Sequence, residues 1–398
     1  MVSYFLGVFL FALGIAVTIA LHEAGHMLTA RAFGMRVRRF FIGFGPTIWS
    51  KKIGQTTYGF AALPFGGFCD IAGMTAQDPV TEEEAPHAMV KKPWWQRIIV
   101  LSGGVMANLI IGFIVIYGVA VTSGIPNPHA DTRPLVGELS CVSDQVSETT
   151  LARCTGPGPA EVAGLEVGDR IVALNGQQVR SFTEVRDTVL AMPGQTVTLS
   201  VERNGTPMEI AIDVPTVIRS GVEAGAIGVT SAPIPDAIKS YGPVEAVGAT
   251  GEFTWRLLDG TVRGLAAFPA KIPGVVASIF GGERDQEGPM SVVGASRVGG
   301  ELAERSLWDV FWLMLASLNF FLALFNLVPL PPLDGGHIAV VLYEKIRDLV
   351  RRARGLAPGG PANYEKLMPI TYAMAATLLT IGVIVIVADV VNPVRMFG

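Results

Sequence analysis

The sequence encodes a polytopic α-helical membrane protein with about four transmembrane helices, a membrane-associated β-hairpin and one small extracytoplasmic α+β module. Three observations predict this. Half of the 398 residues are hydrophobic and only 16% are charged. The mean hydropathy is +0.46. Four runs are apolar and long enough to cross a hydrocarbon core about 30 Å thick, which takes roughly 20 helical residues. The first is Val2 to Ala30, with Glu23 as its one carboxylate. The second, Ile98 to Val121, has no charge, the third is Val310 to Leu330, and the fourth is Ile370 to Ala388. A cleaved signal peptide does not account for the first run, which lacks a basic leading segment and carries two histidines and a glutamate.

Lysine and arginine near helix ends set orientation. Arg31, Arg36, Arg38, Arg39, Lys51, Lys52, Lys91, Lys92 and Arg97 lie between the first two runs. Lys345, Arg347, Arg351, Arg352, Arg354 and Lys366 lie between the last two. Both loops are therefore expected in the cytoplasm, with both chain ends and the long middle segment outside. The formal net charge of −4 gives no reason to expect nucleic acid. Cys141 and Cys154 fall in the outside segment, where oxidation can pair them, and two reduced buried cysteines are the alternative. Cys69, on the other side, is expected to be a free thiol.

Residues 36–69 are rich in aromatic and β-branched residues around Gly45-Pro46 and Lys51-Lys52-Ile53-Gly54-Gln55, which reads as a hairpin. It either dips into the bilayer against protein that satisfies its backbone, or lies on the membrane surface. Between residues 158 and 214 a short helix, a strand with an Asn175-Gly176 turn, a helix from Phe182 to Met192 and two strands around Asn204-Gly205 make the α+β module. Helical character from Val262 to Phe280, broken at Pro273, suggests an amphipathic helix at the outer interface. The boundaries are 1–123 for the N-terminal membrane half, 124–233 for the module, 234–307 for the amphipathic helix and its connection, and 308–398 for the C-terminal membrane half.

The chemistry concentrates in His22-Glu23-Ala24-Gly25-His26. Histidines at i and i+4 share one helix face and can grip a metal, while the glutamate between them can take a proton from water. Ionisable groups inside a membrane helix are costly, which favours function over mere satisfaction by neighbouring helices. A catalytic zinc site needs a third protein ligand. Asp334, after Asn326-Leu327-Val328-Pro329-Leu330-Pro331-Pro332-Leu333, is the candidate, because the prolines end the helix and can turn a carboxylate back. His337 is second, and a simple turn aspartate is the plainer reading of Asp334. Asn326 either holds substrate or bonds a neighbouring helix.

Taken together, HEAGH, NLVPLPPLDGG, FIGFGPTIW, TTYGFAALPFGGFCDIAG and GPMSVVGAS resemble the site-2 protease family of intramembrane zinc metalloproteases over nearly the whole chain. The resemblance implies Zn2+ held by His22, His26 and Asp334, with Glu23 as catalytic base. It also implies a PDZ-like outer domain and a re-entrant hairpin beside the site, where Phe60, Gly66 and Gly67 are accessory candidates and an edge near Phe60 to Phe65 could take up an unwound substrate. The segment between Cys141 and Cys154 is an insertion ahead of the PDZ-like core. With FGGFCDIAGM it looks like the actinobacterial branch, whose members cut membrane-bound anti-sigma factors. Single-pass membrane proteins of that kind are the expected partners, in a bacterial cytoplasmic membrane. Family members often carry Gly-Pro before the asparagine of the second helix, where this chain reads Ser102-Gly103-Gly104-Val105-Met106-Ala107-Asn108. A metal-ion carrier and an inactive PDZ adaptor are the rival classes. The absence of an internal repeat weighs against the first, and the intact His22, Glu23, His26 and Asp334 weigh against the second.

Overall fold

The computed structural model describes residues 1–398 except 132, 148–149, 220, 286–287, 395 and 397–398, and leaves undescribed the side chains of 64, 65, 147 and 150. The chain forms two compact units, Met1–Gly124 with Ser240–Gly398, and Ile125–Lys239.

The larger unit starts with α1 (Val2–Ala32). Its buried stripe is Gly7, Phe11, Ile15, Thr18, His22 and His26, spaced three or four apart. On another face Phe5, Phe9, Leu13, Val17 and Leu21 are exposed at intervals of four. A row of large apolar side chains without protein cover is what lipid, not water, accommodates. The hairpin follows as β1 (Val37–Ile53) and β2 (Thr56–Ile71). Both strands bend. Phe60 lies opposite both Ile42 and Trp49, whereas Gly67 lies opposite Ile42 alone. The expected free edge near Phe60 is therefore corrected: Phe60 has backbone neighbours on both sides, and the open edge is at Gly67 and beyond. Phe65 falls outside the described side chains.

The second apolar run is also not one helix. It divides at Ser102 into α2 (Trp94–Leu101) and α3 (Gly103–Thr122), and Gly103 packs against the backbone of Gly25 with no room for a side chain.

In the smaller unit, α4 (Pro159–Val162) precedes a four-stranded sheet ordered 206–213, 196–203, 170–174, 177–178, against which α5 (Phe182–Leu190) lies. Ser181 caps α5 by accepting from the Glu184 N–H. Asn175-Gly176 and Asn204-Gly205 carry the positive φ angles of tight hairpin turns. The core is Ile171, Val185, Val197, Leu199, Val201 and Ile212, each fully buried or nearly so. Cys141 and Cys154 are joined by a disulfide. Cys69 is a free thiol.

Asp169 is only 1% exposed in this unit. Burial alone would raise its pKa, but two bonds from Arg203 at 2.7 Å and one from the Glu166 N–H at 2.9 Å outweigh that, and the carboxyl ends below its ordinary value. A carboxylate depressed on folding stabilises the native state above its unfolded value of about 3.9, and that stabilisation is lost as pH falls through the folded value. The resistance of this unit to thermal unfolding should therefore fall on acidification below about pH 4, and Asp169→Asn should flatten that dependence. An unchanged acid limb in the variant would contradict this.

The chain returns to the larger unit as α6 (Pro243–Ile279), one continuous helix through Pro269 and Pro273, which corrects the expected break. Pro273 cannot donate to the carbonyl of Pro269, but no clash ends the helix. The length of α6 was hidden by its scattered charges, which pair along it as Glu252–Arg256 and Asp259–Arg263. It joins α1, α3, α8 (Trp308–Leu327) and α10 (Met368–Val391) as five helices among the described residues that are long and apolar enough to cross a membrane, where the sequence suggested four. The short α7 (Val292–Glu304) packs Gly299, Gly300 and Ala303 against Tyr4, Gly7 and Val8 of α1, and Glu304 pairs with the Met1 amine at 3.1 Å. The prolines after α8 end it, and α9 (Asp334–Ala353) begins at the aspartate. Gly335 fits against the carbonyls of Leu327 and Val328, folding the start of α9 back onto the end of α8. Farther along, Glu344 of α9 is buried against Arg97 of α2 at 2.7 Å.

Candidate metal centre

His22 and His26 reach inward from the buried stripe of α1, and the proline turn brings Asp334 to them from more than 300 residues away. The three donor atoms form a tight triangle. His22 Nε2 and His26 Nε2 are 3.3 Å apart, and each is 3.3 Å from Asp334 Oδ2. Nitrogen and oxygen donors roughly 2.0–2.1 Å from a tetrahedral zinc lie about 3.3 Å from one another, so the triangle has the edge length of such a site. Asp334 Oδ2 is buried without a hydrogen-bond partner among the described residues. The His26 Nδ1 lies 2.8 Å from the Val100 carbonyl, which can only accept. Its proton is therefore on Nδ1, and Nε2 turns a lone pair toward the triangle.

Space is arranged as carefully as charge. A Cβ on Gly104 of α3 would fall 2.6 Å from His22 Nε2 and closer still to His26 Nε2. Glycine there leaves the triangle room on its α3 side. Glu23, between the histidines, lies beside the Cys69 backbone N–H. A Cβ on Gly67 would lie 3.2 Å from Glu23 Cγ, so the open edge of β2 runs beside this carboxylate. These residues fit a divalent zinc ion with a carboxylate next to it.

A protein-family model for peptidase family M50 matches residues 10–357. The chain belongs to peptidase family M50. Within that family it is 47% identical to the zinc metalloprotease Rip1 of Mycolicibacterium smegmatis over 98% of this chain and 99% of that one. It is 44% identical to Rip1 of Mycobacterium tuberculosis over 98% of each. The regulator of sigma-E protease RseP of Escherichia coli is 27% identical over 94% of this chain and 95% of that one. Among solved structures, the PDZ domain of an SdrC-like protein from Listeria monocytogenes matches 19% of this chain and 77% of its own, at 24% identity and a TM-score of 0.17. This M50 chain is a zinc metalloprotease of the site-2 type.

Of the accessory candidates, Gly67 lies beside Glu23 with too little space for a side chain, while Gly66 has φ +91° and packs on the Phe44 ring. Asn326 is half-buried in the last turn of α8, before the turn that carries Asp334. His337, the second choice for third ligand, is not in the triangle and stacks on Tyr364. Sequence reasoning missed Gly104, the Val100 carbonyl and the Cys69 N–H. Only the first had a signal, a Gly-Gly pair in a run of large apolar residues. Backbone groups look alike in every sequence.

Proposed function

We propose that this zinc metalloprotease works inside the bilayer, hydrolysing peptide bonds in the transmembrane segments of single-pass membrane proteins, with membrane-bound anti-sigma factors as the substrate class. The observation that carries the reading is the position of the donor triangle. His22 and His26 continue the buried stripe of a helix whose other face exposes Phe5, Phe9, Leu13, Val17 and Leu21. That position supports hydrolysis at membrane depth. In this reading α1, α3, α8 and α10 cross a bacterial cytoplasmic membrane. The α6–α7 pair enters and returns on the outer side, and the 125–239 unit is an extracytoplasmic PDZ-like domain. The name of the Escherichia coli relative, a regulator of sigma-E protease, supports the substrate class.

His22, His26 and Asp334 hold the metal. Bound zinc supplies a Lewis acid that polarises the scissile carbonyl and makes water a competent nucleophile near neutral pH. Glu23 takes the proton of the attacking water and returns it to the leaving amine. The Cys69 N–H and Gly67 border the Glu23 side chain on one side. A substrate helix hides its amides in its own hydrogen bonds, so it has to unwind, and the free edge of β2 from Gly67 can pair with the extended segment next to Glu23.

Co-expression with tagged single-pass proteins shortened on their outer side tests the function. The expected result is a membrane-released fragment, and release from substrates bearing intact outer domains only would argue against it. The edge is tested by Gly67→Val, which should lower cleavage at least about tenfold by crowding the strip beside Glu23, equivalent to about 1.4 kcal/mol of transition-state stabilisation. Zinc content should stay at the wild-type level, and unchanged turnover would remove the role of the edge.

A further inference from the structure

The two imidazoles of the donor triangle are steadied differently. His26 rests on the Val100 carbonyl, a group that can only accept. The Nδ1 of His22 instead lies 3.2 Å from the side-chain amide nitrogen of Asn108, on α3 one turn beyond Gly104. Asn108 is 1% exposed, and its Oδ1 has no partner among the described residues. The amide N and O of an asparagine are interchangeable by a half-turn that moves no other atom. With the amide nitrogen toward Nδ1 the Oδ1 has no partner among the described residues, so counting hydrogen bonds does not decide between the two orientations. The ring does. An amide N–H donating to Nδ1 requires the His22 proton on Nε2, the atom that faces His26 and Asp334. An N–H there cannot serve as a ligand. The opposite turn lets Nδ1–H donate to Oδ1 and frees the Nε2 lone pair.

We infer that Asn108 is a positioning residue for metal binding, accepting from His22 Nδ1–H through Oδ1 and thereby fixing both the tautomer and the plane of that ring. Gly104 and Asn108 are four apart and share one face of α3. One makes room for the triangle and the other aligns a member of it. The inference rests on His22, His26 and Asp334 being the zinc ligands.

Asp and Leu replacements test it, since both keep the γ-branched shape of Asn but only Asp accepts. Zinc affinity of the full chain in detergent is measured by competition with a chelator. Asn108→Asp should bind zinc within about threefold of wild type or more tightly, and Asn108→Leu about 10–100-fold more weakly, the usual cost of losing the partner of a metal-bound histidine. Wild-type affinity in Asn108→Leu would overturn the inference. So would equal loss in both variants, because that would assign the role to the amide N–H. A Leu variant that fails to fold leaves the Asp variant to decide, since an isosteric change that keeps the acceptor should keep the zinc. A wild-type protein that holds no zinc would instead bring down the metal reading itself.

Discussion

Replacing Glu23 by Gln should abolish detectable cleavage, a loss of about 10²–10⁴ in rate, while leaving zinc content at the wild-type level. The amide is isosteric and fits the same space beside the Cys69 N–H, so the architecture around it has no reason to change. What it cannot do is take a proton from water. Zinc content and turnover measured on the same preparation decide the matter. Loss of zinc together with activity would make Glu23 a ligand, and substantial residual turnover would move the base elsewhere.

Gly104→Ala should be nearly as damaging although it removes no chemical group. Its methyl would lie 2.6 Å from His22 Nε2 and nearer to His26 Nε2, inside the distance that carbon and nitrogen tolerate. Relief by moving α3 is blocked, because Gly103 already meets the Gly25 carbonyl and Thr29. The rings must give way, and zinc affinity should fall at least about 10–100-fold, with activity following. Gly118→Ala on the same helix, where nothing lies within 4 Å, is the control and should leave both unchanged. Equal behaviour of the two variants would show that α3 yields and that the crowding is not real.

Much of this protein was written in local pattern. Long apolar runs announced α1, α8 and α10, because a helix surrounded by lipid tolerates apolar side chains on every face. The i and i+4 spacing put His22 and His26 on one face from the sequence alone, and Asn-Gly pairs marked the turns of the smaller unit. Failures came where a decision belonged to packing. The second apolar run marks a weak point at Ser102-Gly103-Gly104, but not that α3 begins there against Gly25 of another helix. Pro273 looked like a terminus, and Phe60 looked like an edge until the bends of β1 and β2 placed Ile42 and Trp49 on either side of it.

The sequence by itself determined which atoms can bind a metal and which carboxylate can move a proton, because these are properties of side chains and of helical period. Tertiary structure alone decided that Asp334 rather than His337 completes the triangle, that a glycine on α3 leaves it space, and that the Val100 carbonyl and Asn108 meet the two rings. Those contacts join residues 74, 86 and 312 positions apart or occur through backbone atoms, and no local periodicity encodes a distance across folded helices.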